Sequence, residues 1–394
     1  MHRRSFISSM TLAALAAGLP RRHALAASAS APNKTQWRVR ASEGFDAIAF
    51  LGPLSGRPLY TRYYAADAAA FAAKLPKKIT ADLADLWKAA DADDFGLFGP
   101  NLAVLLSAGG NDASIDALLL AIEERERRVL PSYRASPDWT ESNWQWFDQA
   151  APRIAAIFSA MRDAGFASFR NERAGAELAT RVTEVHKSLQ SVDVITWHEK
   201  LTGRVFDPII EIVLLHFSKP HGIKVQGQTF LQSHDYEIAT TVRIAAHEML
   251  HPPVVMAGPA ATAALAVLKQ DALLTKIVRE HDPSLGYTTV EGVLNEDLAQ
   301  ALDQLISEAL GVGRNPADRW RAQDEGMHVL AAGFYGMFRD DRWIDTGGNL
   351  EEWLANAVRR GRLAPAVLHP IAARVLERPV SQLWPLPPTP GTGG

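Results

Sequence analysis

His247, Glu248 and His251 form an H-E-x-x-H run in a chain without a single cysteine, so any metal it binds must be held through nitrogen and oxygen. Residues four apart share a helix face, and two neutral imidazoles there can take two corners of a tetrahedral Zn²⁺, leaving room for a third protein ligand and a water. Glu248 leans toward the same edge and can take that water's proton. By accident alone the run would occur in about one chain in fifty of this size and composition, so its surroundings must decide. The chain carries its own control: His198-Glu199 begins the same way but has Thr202 where the second histidine belongs, and His198 reads as structural. By contrast Ile238, Val242, Ala245, Ala246, Met249 and Leu250 recur at helical spacing, with no glycine or proline before Pro252. They predict a helix over about 236–250 that stops just after its second histidine.

A third ligand is required, and Leu294-Asn295-Glu296-Asp297-Leu298-Ala299 supplies a candidate in Glu296, on what reads as the next major helix. Glu291, five residues earlier, competes with it. The pair H-E-x-x-H and L-N-E-x-x-A resembles the gluzincins, the zinc peptidases that include thermolysin-like enzymes and the large aminopeptidases. That resemblance implies Glu296 as the third zinc ligand with Asn295 its neighbour, and Glu248 as the base. Two departures stand out. The spacing between the motifs is longer than in the aminopeptidases, and Gln300 occupies the position where thermolysin-like enzymes place a supporting aspartate. Asp324 to Val329, followed by Gly333, is similar to the thermolysin-like stretch that carries an oxyanion-stabilising histidine. His328 is therefore the implied donor, oriented by Asp324 four residues before it, with Tyr335 and Tyr287 as rivals.

The amino terminus pairs Arg3 with Arg4, follows them with Phe6, and continues into a short alanine-rich apolar run with small residues at Ala24–Ala26 and Ala27–Ala29. This has the form of a twin-arginine export signal over residues 1–29 and implies a periplasmic or secreted protein. The apolar run is too short to span a bilayer, and no later stretch approaches the roughly 20 apolar residues that spanning needs, so the mature chain should have no integral membrane segment. With 41 basic against 44 acidic residues, nothing in the charge balance points to nucleic acid.

These motifs need a scaffold. Residues 43–190 read as successive helices, at about 43–52, 64–74, 79–91, 113–130, 138–164 and 170–190, with Trp37–Arg40 as a short strand. Trp139, Trp144, Trp146 and Phe147 are read as core rather than as a stacking surface. Residues 208–217 read as a buried strand and 222–231 as its edge neighbour, with Gly227 a point of close substrate approach or a bulge; His216, His221 and His234 lie nearby without metal-ligand spacing. Helices are expected at about 258–280, 291–310, 319–338, 349–360 and 365–377. The expectation is an α/β, predominantly helical fold with a small mixed sheet and an active-site helix pair. Its parts would be a signal at 1–29, a helical region at 30–205, a catalytic region at 206–384 and a disordered tail at 385–394. The corresponding function is a zinc-dependent peptidase acting on peptide or protein substrates. Since no G-x-M-E-N segment precedes the zinc motif to capture a free substrate amino terminus, an endopeptidase is expected. The rivals are a non-catalytic zinc-binding envelope interaction protein on a peptidase fold and a zinc hydrolase of a non-peptide amide or ester.

Overall fold

A computed structural model describes residues 33–93, 95–282, 285 and 287–385. The signal segment at 1–29, with Arg3, Arg4 and both small-residue sites, and the tail beyond residue 385 lie outside the described residues. In chain order the elements are β1 (Gln36–Ala41), α1 (Glu43–Leu54), α2 (Pro58–Ala72), α3 (Lys77–Ala92), α4 (Phe98–Ser107), α5 (Ile115–Glu123), α6 (Arg125–Arg128), α7 (Leu130–Arg134), α8 (Glu141–Asp163), α9 (Phe166–Arg170), α10 (Ala176–Leu189) and α11 (Val194–Thr202). Then follow β2 (Ile209–Leu215), β3 (Ile223–Lys224), β4 (Thr229–Ser233), α12 (Ile238–Glu248), α13 (Pro259–Leu268), α14 (Ala272–Glu280), α15 (Val290–Ala309), α16 (Pro316–Ala322), α17 (Val329–Asp340), α18 (Trp343–Thr346), α19 (Leu350–Arg359) and α20 (Pro365–Leu376). The fold is mostly helical with one small mixed sheet, as its sequence pattern implies.

The chain forms two compact units that interleave in sequence. One comprises Trp37–Gln190 with Ile209–Ile238, and the other comprises Ser191–Pro208 with the chain from Ala239 onward. The strands therefore belong with the N-terminal helices, where a boundary near 205 would have placed them with the metal motif. The reason is packing: Val213, Leu215, Phe217 and Leu231 share one buried apolar cluster with Phe45, Phe50, Phe71 and Phe166 of the first unit's helices. Phe50 sits at its centre, 4.2 Å from Phe217 and 5.6 Å from Phe166 between ring centroids. Beneath this cluster, Asp46 of α1 is fully buried, pairs with Arg170 at 2.6 Å and accepts the backbone N–H groups of His216 and Phe217. These bonds fix the end of β2 to α1 and α9.

The sheet order is β1-β2-β4-β3. β2 runs parallel to β4, and its stretch 212–215 is buried on both faces, which is why these four residues are all apolar, while Glu211 before them is half-buried and pairs with Arg40. The stretch 222–231 is not a single edge strand. It is a hairpin in which β3 runs antiparallel to β4, and Gly227 (φ 61°) supplies the left-handed residue between them. The aromatic residues of α8 are core: Trp144 and Phe147 are buried, and Trp146 stacks on Phe95 at 4.1 Å. Three expected helices are interrupted, one of them the 319–338 helix, which breaks between Ala322 and Val329. The 113–130 helix breaks at Glu124, whose carboxylate turns to Arg127 and Arg128, and the 258–280 helix breaks at Asp271, which caps α14 through its side chain.

In the second unit α15 is the central element, with sixteen of its twenty residues buried. It starts at Thr289, whose hydroxyl accepts from the Gly292 N–H, and it packs against α17. In turn α17 lies close on α20, because side chains at Gly333 and Gly336 would collide with Leu368 and Ile371. Among the described residues no helix is long and apolar enough to cross a membrane.

Candidate metal centre

α12 brings His247 and Glu248 into the buried interior of the second unit, but it ends at Glu248, two residues earlier than the apolar spacing suggests. Beyond it the hydrogen bonds shorten in register: the Leu250 N–H reaches the His247 carbonyl at 2.9 Å and the His251 N–H the Glu248 carbonyl at 3.4 Å. Pro252 and Pro253 offer no N–H to continue the ladder, and a residue before proline disfavours the α conformation. His251 thus stands on a tight turn, not on the helix proper. Its ring is nevertheless beside that of His247, with the two Nε2 atoms 2.8 Å apart.

Glu296 of α15 completes the group. Its Oε1 lies 3.5 Å from His247 Nε2 and its Oε2 lies 3.6 Å from His251 Nε2, and the three donor atoms all fall within 4.8 Å of one another. Bonds of about 2.0–2.1 Å to one tetrahedral ion put ligand atoms roughly 3.3 Å apart, so the two histidine–glutamate separations suit a shared cation, and a small rotation of the His251 ring would open the third. Two imidazoles and one carboxylate are a donor set for a divalent ion. His247, His251 and Glu296 can hold a metal ion. Glu291 is exposed in the first turn of α15 and is not part of the group.

Asp303, two helical turns beyond Glu296, accepts from His247 Nδ1 at 2.7 Å. This bond fixes the tautomer and leaves Nε2 facing Glu296 and His251. Arg319 of α16 clamps Asp303 with both terminal nitrogens. Burial would push His247 down, but the charge of Glu296 and the hydrogen bond and charge of Asp303 outweigh it and raise the ring to about 9. Burial acts upward on Glu296, and the positive fields of His247, His251 and His328 with a hydrogen bond from Gln300 bring it down to about 2. The ionised carboxylate is in the charge state a cation needs, and a bound cation would displace the proton that these acids otherwise favour on His247. Gln300, standing where an aspartate was sought, donates to Glu296 at 2.9 Å and accepts from the Trp320 indole at 2.8 Å. It holds the carboxylate ligand, while Asp303 orients the histidine. His198, read as structural, is buried in α11 and donates from Nε2 to the Ala246 carbonyl at 2.9 Å, one residue before the first ligand.

His328 has a different task from the one its sequence context implies. Both ring nitrogens are occupied, Nδ1 by Asp297 at 2.6 Å and Nε2 by Asp324 at 2.9 Å, so neither N–H is directed at an oxyanion. Burial would lower the ring, yet the charge and hydrogen bond of Asp297 and the bond from Asp324 raise it to about 10. A ring held between two carboxylates in this way is a clamp. Nor are Asp324 and His328 on one helix: Asp324, Glu325 and Gly326 have positive φ values of 45°, 56° and 71°, and α17 begins only after His328. Of the rival donors, Tyr335 gives its hydroxyl to Glu308, three helical turns along α15 from Glu296. Tyr287 packs edge-on to the His328 ring at 5.7 Å, and burial first, then the charges of Glu296, Asp324, Asp297 and Glu248, raise its phenol well above the usual range. It stays neutral beside two of the carboxylates that define the site.

The supporting residues Asp297, Asp303 and Arg319 have no short motif to announce them. Glu296, Gln300, Asp303, Gln304 and Ser307 do form a polar stripe along a largely buried helix, and that stripe is a signal in the sequence. In the first unit, His221 meets the Tyr60 hydroxyl at 3.1 Å and burial lowers it to about 4, and His234 lies 3.3 Å from Glu177. Compared with known proteins, the chain matches no family model, no curated protein and no solved structure.

Proposed function

We propose that this protein is an exported zinc-dependent peptidase that cleaves internal peptide bonds. The observation that carries the reading is the convergence of His247, His251 and Glu296 with the buried carboxylate of Glu248 in the same interior. Zinc bound there would supply Lewis-acid polarisation of a carbonyl oxygen and acidify an adjacent water. Glu248 accepts the proton of the attacking water and delivers it to the leaving amine nitrogen. Tyr287, kept neutral, donates its hydroxyl hydrogen to the oxygen that becomes negative as the carbonyl turns tetrahedral. Asp303 and Gln300 hold the ligands in place, and the His328 clamp holds the wall against which Tyr287 packs. Export follows from the paired Arg3 and Arg4, and the endopeptidase assignment from the lack of a segment to capture a free amino terminus.

The test has two readouts on the purified mature protein, metal stoichiometry and hydrolysis of a broad peptide library. About one zinc per chain is expected, lost in His247→Ala, His251→Ala and Glu296→Ala. Glu248→Gln should keep the zinc and lose hydrolysis by a factor of about 10² to 10⁴. Zinc binding in all four variants would remove the site. Wild-type protein that holds zinc and cuts no peptide would transfer the reading to an interaction protein or to a hydrolase of another amide or ester.

A further inference from the structure

Arg314 follows α15 in the second unit, and among the described residues its guanidinium has no ion-pair or hydrogen-bond partner, with Nε fully shielded from solvent. Two further arginines bracket the same loop. Arg243 of α12 donates to the Val312 carbonyl at 3.1 Å and to the Thr240 hydroxyl at 2.7 Å. Arg319 donates to Gln304 Oε1 at 3.1 Å, and Gln304 in turn donates to the Arg314 carbonyl at 2.7 Å. Asp303 gives its oxygens to the terminal nitrogens of Arg319 and the Nδ1 of His247, and reaches Arg314 through its charge alone. Arg314 is half-buried, its Nε is cut off from both water and any acceptor, and a guanidinium fork is shaped for the paired oxygens of a carboxylate or phosphate.

We propose that Arg314, flanked by Arg319 and Arg243, forms a binding site for a small oxyanion, either inorganic phosphate or the carboxylate of a small ligand. The site is separate from the metal ligands, and the inference does not depend on peptidase activity. Burial and the charges of Arg319 and Arg243 pull Arg314 down to about 9, a penalty that a bound oxyanion would remove. Arg243 is held by neutral acceptors and Arg319 by Asp303, which leaves the Arg314 fork available to a ligand.

The test is thermal unfolding of the intact protein in an oxyanion-free buffer, with sodium phosphate or sodium acetate added against sodium chloride of equal ionic strength. Phosphate should raise the wild-type midpoint by about 2 °C or more beyond the chloride control. Arg314→Gln should show no such rise and, without oxyanion, should unfold no earlier than wild type, because it removes an uncompensated charge. Arg314→Lys keeps the charge but loses the fork, so it should retain less than half of the shift even if the glutamine variant folds poorly. An acetate effect equal to that of phosphate assigns a carboxylate ligand; an effect of phosphate alone assigns the free inorganic ion. No shift in wild type, or an equal shift in the arginine variants, overturns the site.

Discussion

The two units bury charge in opposite ways. The first closes on phenylalanine, with Phe50, Phe71, Phe166, Phe169 and Phe217 in mutual contact, and its most deeply buried carboxylate, Asp46, is fully engaged by Arg170 and two backbone N–H groups. The second threads Glu248, Glu296, Asp297, Asp303, Arg319 and His328 through its interior, on or against a single helix. Burying one well-paired ion pair among apolar side chains ties elements together. Burying three acids on α15 together with histidines from other elements is costly unless a ligand or a reaction uses them, and perturbed ionisable groups in such clusters mark candidate functional sites. The same element, a helix in a protein interior, serves as packing surface in one unit and as a carrier of chemistry in the other.

That contrast can be broken experimentally, starting where the largest effect is expected. Arg170→Met should lower unfolding stability by about 3–5 kcal/mol, because it leaves Asp46 buried without its cation, while the folded fraction binds metal as before. Denaturant unfolding and metal analysis read the two sides separately, and a loss of metal affinity would deny that the first unit's charge is purely architectural. Asp303→Asn should weaken metal affinity about 10- to 100-fold, since the amide still accepts from His247 but no longer carries the charge that favours this tautomer. An unchanged affinity would mean that the polar stripe of α15 supports only itself. The smallest effect belongs to Glu291→Ala: about 0.3–1 kcal/mol of helix stability from the first-turn dipole interaction, with no change in metal content. A loss of metal there would reopen the choice of third ligand.

How much of this could be read from the sequence depends on the range of the interaction that fixes each feature. The ligand spacing is local, so His247, Glu248 and His251 announce themselves, and Glu296 stands in a recognisable six-residue context. At the end of α12 the apolar periodicity continues to Leu250, whereas the backbone answers to Pro252 and Pro253, so the helix stops before the pattern does. Residues 222–231 alternate like one strand, and only the pairing of Ile223 with Leu231 reveals a hairpin. His328 shows the limit best. Its relation to Asp324 is visible in the spacing, but Asp297 lies 31 residues away, and it is the second carboxylate that turns a prospective donor into a clamp.

Backbone strain around that clamp carries a consequence for any attempt to evolve the protein toward higher heat resistance. Tyr287, Asp324 and Glu325 hold left-handed conformations, and each spends its side chain locally: the Tyr287 ring on His328, Asp324 on the same imidazole, and Glu325 on the Asp282 N–H at 3.2 Å. Glycine at any of the three would relieve a conformational cost of about 1–2 kcal/mol, offset in part by its greater freedom in the unfolded chain. A selection for thermal tolerance alone would therefore find these positions nearly open to replacement, and each replacement would loosen the imidazolium clamp or remove Tyr287 from it. Libraries built on this scaffold would enrich well-folded clones in which the packing of Tyr287, Asp324 and Glu325 around His328 is loosened, and stability would rise at the expense of that arrangement.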